Sequence, residues 1–92
     1  MNIFVTRTAI AEKIPRNTWQ AVPAGLTIRD LILFLSDRYD ETLQQELMTE
    51  GELSEGVLIL LNGESTYQLK EGISTLLKEN DQVYFTVMVY GG

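Results

Sequence analysis

The stretch QVYFTVMVY, residues 82–90, decides the fold because it is an uninterrupted strand pattern that runs directly into two glycines. Successive side chains of a strand point to opposite faces of a sheet. One face would carry Val83, Phe85, Val87 and Val89, and the other would carry Tyr84, Thr86, Met88 and Tyr90. Because both sets are largely apolar and no Gly or Pro interrupts them, we expect this strand to lie centrally in a sheet.

Gly91 and Gly92 follow the strand and end the sequence. Glycine lacks a Cβ atom, so such a tail can enter a narrow slot in a partner protein. Together with Tyr90 the tail would reach about 10 Å beyond the sheet, at ~3.3 Å per residue. We expect the carboxylate of Gly92 to be a chemical handle; an inert terminus or a cloning remnant is the alternative.

The first third of the chain predicts a β-hairpin. Residues 2–10 begin with alternating side chains, and residues 18–22 are rich in β-formers, as is typical of strands. Pro15 and Asn17 lie between the two segments and favour a turn, because Pro fixes φ and Asn tolerates positive φ. The hairpin would therefore supply two strands of the sheet.

A long amphipathic helix follows. Thr27 and Asp30 have the spacing of a capping box, which predicts the start of the helix. Its apolar stripe at helical spacing consists of Ile28, Leu31, Ile32, Leu35 and Tyr39. The stripe predicts that this helix packs on one face of the sheet.

The middle of the chain predicts a shorter helix and two further strands. Residues 41–48 have a helical pattern that Gly51 would end. The apolar run VLILL, residues 57–61, predicts a strand buried on both faces or nearly so. The following Asn-Gly pair predicts a tight turn, with a short strand at residues 66–69. The order predicts one α+β domain over residues 1–92, in which a helix lies across one face of a mixed sheet of four to five strands.

The composition excludes several classes of function. The chain contains no Cys and no His, which excludes disulfides, thiol nucleophiles, usual zinc sites and Ser-His-Asp catalysis. A net charge of −6 disfavours nucleic acid and anionic membranes; it favours a basic patch on another protein, or else it only keeps the chain soluble. The first residues do not resemble a signal peptide, so we expect a cytoplasmic protein. We therefore expect a non-enzymatic protein without a metal site.

The sheet face opposite the helix is a candidate protein interface. If Val83, Phe85 and Val87 point at the helix, Tyr84 and Met88 point away from it. Exposed Met and Tyr side chains on a flat sheet suit a protein interface. The alternative is that residues 40–55 fold over these side chains as a loop.

Three segments carry a resemblance to a known family. PAGLTIRDLILFLSDRY, GVLILLNGE and LKENDQVYFTVMVYGG, at residues 23–39, 56–64 and 77–92, resemble parts of the MoaD/ThiS family of sulfur-carrier proteins. They correspond to the main helix, the buried strand with its Asn-Gly turn, and the closing strand with its glycine pair. The resemblance implies a ubiquitin-like β-grasp fold for nearly the whole chain.

The resemblance also implies a function. A ThiF- or MoeB-like partner would adenylate the Gly92 carboxylate with ATP and magnesium, and a sulfur nucleophile would convert it to a thiocarboxylate. Gly91 would keep the tail slim, and the chain itself would bind no cofactor. The sulfur would pass to a synthase, foremost a MoaE-like large subunit that makes molybdopterin or tungstopterin, or else a thiazole synthase for thiamin. The partner-binding residues would be Tyr84, Thr86, Met88, Val89 and Tyr90.

Two other functions remain open at this point. The ending VMVYGG is also similar to the ubiquitin-related modifier, which implies conjugation of Gly92 to a lysine of a target protein. A regulatory β-grasp module with an inert tail is the third hypothesis. The family pattern is broken at Thr86, Val87 and Met88, where we expect the choice of partner to be determined.

Overall fold

A mixed five-stranded sheet organises residues 1–88, the part of the chain that the computed structural model describes. The strands of the molecule are β1 (Asn2–Arg7), β2 (Thr18–Ala21), β3 (Met48–Thr49), β4 (Glu52–Leu53), β5 (Val57–Leu61), β6 (Glu64–Ser65) and β7 (Gln82–Val87). The helices are α1 (Ile28–Tyr39) and α2 (Leu43–Leu47), with a 3₁₀ turn at Gly72–Ser74. The strand order is β2-β1-β7-β5-β6, and β3 and β4 form a separate hairpin.

Strand β7 lies at the centre of the sheet, as the sequence predicted. It pairs in parallel with β1 on one side and antiparallel with β5 on the other. Val83 and Phe85 point into the core and are almost completely buried. The last strand of the chain is therefore held on both sides before the tail begins.

Helix α1 covers one face of the sheet and begins at the predicted capping box. The Thr27 hydroxyl accepts a hydrogen bond from the Asp30 amide at 3.1 Å, and the Asp30 carboxylate accepts one from the Thr27 amide at 3.0 Å. Two of the four backbone N–H groups that have no partner within the helix are thereby hydrogen-bonded. The buried helix residues Ile28, Leu31, Ile32 and Leu35 pack on the sheet. The α+β, ubiquitin-like β-grasp arrangement is confirmed.

Asp40 joins the end of α1 to the following turn. Its carboxylate accepts hydrogen bonds from the hydroxyl and the amide of Thr42, at 2.7 and 3.0 Å, and lies 3.8 Å from the Lys13 ammonium. These contacts, led by the Thr42 hydroxyl, lower the pKa of Asp40 although desolvation opposes them. The charged form of Asp40 is thus favoured by the fold.

Two local predictions were wrong. The short strand is β6 rather than residues 66–69, because Asn62 and Gly63, at φ 52° and 86°, make a two-residue turn that restarts the strand at once. Helix α2 is shorter than residues 41–48. Met48 leaves the helix to pair with β4 across a turn at Glu50 and Gly51, which have positive φ.

Candidate partner-binding face and tail root

The sheet face opposite α1, which we call the outer face, carries no charged side chain on the four longer strands. Its residues alternate with the buried ones along each strand. They are Asn2, Phe4, Thr6, Trp19, Ala21, Leu58, Leu60, Gln82, Tyr84 and Thr86. Because 22% of the sequence is charged, an uncharged surface of this extent resembles the core of a protein interface, where charged residues are depleted.

Tyr84 lies at the middle of the outer face, where the sequence placed it. It is half-buried between Thr6 on β1 and Leu60 on β5, with which it is in register. These three residues, together with Phe4, line a shallow and mainly apolar depression of about 320 Å³. Such a depression can receive an apolar side chain from another protein.

Thr86 ties the end of β7 to the end of β1. Its hydroxyl oxygen lies 2.7 Å from the hydroxyl oxygen of Thr8, so one of the two groups donates to the other. The Thr8 amide also donates to the carbonyl of Phe85 at 3.0 Å, which extends the pairing beyond Arg7. The two strands therefore stay together to the end of β7.

Met88 is the last described residue and marks the root of the tail. Its amide donates to the carbonyl of Gly56 at 2.8 Å, which fixes the direction in which the chain leaves the sheet. The exposed Glu55 precedes Gly56 in the sequence. The other predicted site residues, Val89, Tyr90, Gly91 and Gly92, lie outside the described residues.

The burial of β7 differs from the prediction at one position. Val87 is on the same side as Val83 and Phe85 by alternation, but it is 37% exposed. Val87 is the last residue of β7, so the buried core ends at Phe85. The buried apolar side of β7 therefore ends two residues, one inward position, earlier than the alternation predicted.

Residues 40–55 do not form the cover that the sequence left as an alternative. Leu43, Leu47 and Met48 from this segment are buried in the core cluster that α1 shares, and α2 packs against α1. The segment therefore lies on the helix side of the sheet. Tyr84 and Met88 remain half-buried on the opposite side.

Sequence reasoning missed most of the residues that surround Tyr84. The alternation of β1 could have identified Phe4 as an outward residue, but the run VLILL was interpreted as buried on both faces or nearly so. Its outward residues, Leu58 and Leu60, are only half-buried, because nothing in residues 1–88 covers them as α1 covers their neighbours. Trp19 is 56% exposed and stacks edge-on against Phe4, with ring centroids 5.2 Å apart.

Two other features are absent from the described residues. Within residues 1–88, no three Asp or Glu side chains come together in a way that could hold a metal ion. A helix long and apolar enough to cross a membrane is likewise absent from this part of the chain. What the described residues offer is a flat, uncharged face beside a firmly held exit for the tail.

Comparisons with known proteins agree with the fold described above. The family described as Urm1 (ubiquitin related modifier) matches residues 7–92. A relative from Archaeoglobus fulgidus, provisionally named a sulfur carrier protein, is 34% identical over 67 residues, which are 73% of this chain and 75% of the relative.

Two solved structures are similar over the whole fold. The HVO 2177 protein of Haloferax volcanii has a TM-score of 0.80 and 26% identity, over 100% of this chain and 87% of that one. The small archaeal modifier protein 1 of Methanosarcina acetivorans has a TM-score of 0.74 and 25% identity, over 99% of this chain and 96% of that one.

Proposed function

Because the chain belongs to the Urm1, or ubiquitin related modifier, family, we propose that it is a sulfur carrier whose sulfur is held on Gly92. The observation that carries the proposal is the course of β7. This strand is paired on both sides, and its last described residue is fixed to Gly56 four residues before the sequence ends in Gly91 and Gly92. A rigid strand that leads into a slim tail can present a carboxylate to another protein.

We place this chemistry in a partner enzyme, which would supply the nucleotide-binding site and the magnesium. The Gly92 carboxylate attacks the α-phosphorus of ATP in a ThiF- or MoeB-like enzyme, with magnesium, and pyrophosphate leaves. A sulfur nucleophile then displaces AMP from the acyl-adenylate, and the thiocarboxylate forms on Gly92. The adenylate is needed because the charge of a free carboxylate repels nucleophiles.

The outer face docks that enzyme. Tyr84 and Thr86 lie on this face and Met88 at its edge, and Val89 and Tyr90 continue toward the tail. The net charge of −6 favours an enzyme with a basic rim around its docking surface. Binding at the face places the tail in the active site, so that the position of Gly92 does not depend on the tail alone.

The sulfur acceptor is a synthase in cofactor biosynthesis. Our first candidate is a MoaE-like large subunit, with which this chain would act as the small subunit of a molybdopterin- or tungstopterin-type synthase. A thiazole synthase of thiamin biosynthesis is the second candidate. Sulfur transfer to each purified synthase, measured from the thiocarboxylate form of this chain, separates the two.

The central test is the intact mass of the full chain after incubation with a ThiF- or MoeB-like enzyme, ATP, magnesium and sulfide. We expect a species in which one oxygen is replaced by sulfur. Gly92→Ala should melt at the same temperature as the unchanged chain and form much less of this species. A chain that never exchanges oxygen for sulfur, with any sulfur source, would contradict the proposal.

A second candidate function is conjugation of Gly92 to lysine side chains of target proteins. The family to which the chain belongs and its structural relative from Methanosarcina acetivorans both carry the description of a modifier, which supports this candidate. Activation by adenylation is common to both functions. Peptide mapping of cell extracts for an isopeptide bond between Gly92 and lysine tests it, and a lack of conjugates would remove it.

A further inference from the structure

Strand β2 forms an open edge of the sheet. Met1 and Val22 exchange two hydrogen bonds, at 2.6 and 2.8 Å, and bonded and non-bonded pairs alternate along an antiparallel ladder. Trp19 and Ala21 therefore form non-bonded pairs with β1, and their N–H and C=O groups point away from the sheet. Nothing else within residues 1–88 bonds to these groups.

The opposite edge is closed. Strand β6 is only two residues long, and beyond it the Thr66 amide donates to the carbonyl of Ile59 at 2.9 Å. The Tyr67 hydroxyl donates to the carbonyl of Val57 at 3.0 Å, which occupies the next free acceptor of β5. Short edge strands and covering side chains are the usual means by which proteins prevent strand addition, and no such cover of β2 comes from residues 1–88.

The charges around β2 also favour self-association. In a chain with a net charge of −6, residues 14–25 contain no carboxylate, and Arg16 is their one charged side chain. Two copies that approach each other through this segment avoid direct contact between acidic groups. We propose that β2 pairs antiparallel with β2 of a second copy, so that two sheets join into one.

The backbone determines the register of this pairing. Pro23 has no N–H to donate, and Asn17 has a φ of 53°, which takes it out of the strand conformation. Pairing centred on Gln20 avoids both residues. It sets Trp19 opposite Ala21 of the second copy, and each of the two equivalent pairs exchanges two hydrogen bonds.

The side chains fit the same register. Paired residues of an antiparallel ladder point to the same face, so the indole of Trp19 lies over the small side chain of Ala21 of the second copy, on the joined outer faces. Phe4 already contacts the Trp19 ring within each copy, and Trp19 remains more than half exposed to solvent. The large Trp19 of each copy therefore faces the small Ala21 of the other. The same surface fits itself, as a two-fold interface requires.

The pairing leaves the tail accessible. Strand β7 is separated from the β2 edge by β1, and in the proposed dimer the two copies of β7 run in opposite directions. The contact consists of a few hydrogen bonds and one aromatic residue from each copy, so the dimer is weak and reversible. Because it does not involve Gly92, this proposal stands or fails independently of sulfur transfer.

The test is sedimentation of the full chain from micromolar to millimolar concentration, at low and high salt. We expect the average mass to rise from monomer toward dimer with concentration, and more strongly at high salt, which screens the net repulsion. Trp19 is the sole tryptophan, so its emission reports the contact and should shift to shorter wavelength along with the mass.

Two matched variants locate the contact. Ala21→Arg places a large side chain where the indole of Trp19 would lie and should lower the dimer fraction at least tenfold. Ala9→Arg adds the same charge at an exposed residue away from β2 and should leave the dimer fraction unchanged. A chain that stays monomeric without an emission shift, or a dimer that is insensitive to Ala21→Arg, overturns the proposal.

Discussion

Phe85 and Tyr84 are neighbours on β7, yet they belong to two different surfaces of the sheet. Phe85 is completely buried under α1, whereas Tyr84 is half-buried among the uncharged residues of the outer face. The same central strand therefore contributes alternately to the core and to the proposed docking surface. It follows that stability and partner binding can be changed separately by substitutions at adjacent positions.

The two surfaces differ in what completes them. The inner face is completed by this chain itself, through the apolar stripe of α1 and the buried residues of α2. The outer face receives no second layer from residues 1–88, although it carries Phe4, Leu60 and Tyr84. In the proposed function the missing layer is supplied by the activating enzyme, for as long as the tail is in its active site.

The largest effect should come from Phe85→Ala. Removing a fully buried aromatic ring should lower the free energy of unfolding by roughly 3–5 kcal/mol, because it leaves a cavity beneath α1. Tyr84→Ala, one residue earlier, should cost only about 1 kcal/mol, in the range of a cross-strand contact. Urea unfolding of both variants measures the difference, and a larger loss for Tyr84→Ala would reverse our assignment of the two faces.

The next effect concerns the outer face alone. Leu60→Lys places a charge beside Tyr84 and should reduce the rate of sulfur loading at limiting enzyme concentration about tenfold, or ~1.4 kcal/mol, because that charge would be buried on docking. Gln45→Lys adds the same charge on an exposed position of α2 and is the control. Equal loading of the two variants would show that the outer face does not dock the enzyme.

A third prediction concerns helix α1, which covers the inner face of the sheet. Thr27→Ala removes the hydroxyl that caps α1 and should lower the free energy of unfolding by about 1 kcal/mol. Thr27→Ser keeps the oxygen and should retain most of the stability. Sulfur loading per folded molecule should be unchanged in both variants. A loss of loading without a loss of stability would mean that α1 also contributes to docking.

Much of this comparison was predictable from the sequence. The alternation in β7 assigned Phe85 and Tyr84 to opposite faces, and the stripe and capping box of α1 located the inner cover, because both patterns are periodic and local. The Asn62-Gly63 turn was predictable for the same reason, since both residues accept positive φ.

The missed features depend on contacts between distant residues. Residues 8–17 form a long loop because the Arg7 guanidinium donates to the carbonyls of Thr8, Glu12 and Ile14, a set of partners that no local pattern indicates. The outward residues of β5 could not be identified from the run VLILL, since alternation cannot be read where every residue is apolar. The β3–β4 hairpin was missed because residues 41–48 fit a helical pattern that pairing with β4 cuts short.

The smallest predicted effect is the pH-dependent contribution of Asp40, at the end of α1, to the stability of the fold. The hydrogen bonds from Thr42 and the nearby Lys13 lower the pKa of Asp40, so folding is stabilised above the ordinary carboxyl value of about 3.9, and this stabilisation is lost as pH falls through the lower folded value. Asp40→Asn should therefore be less stable than the unchanged chain at pH 7, and the difference should shrink in acid. Thermal melts from pH 7 down to about pH 2 measure it, with Asp37→Asn as the control for loss of one charge on the same helix. A difference that stays constant over this range would show that the Asp40 carboxylate gains nothing from its neighbours in the folded chain.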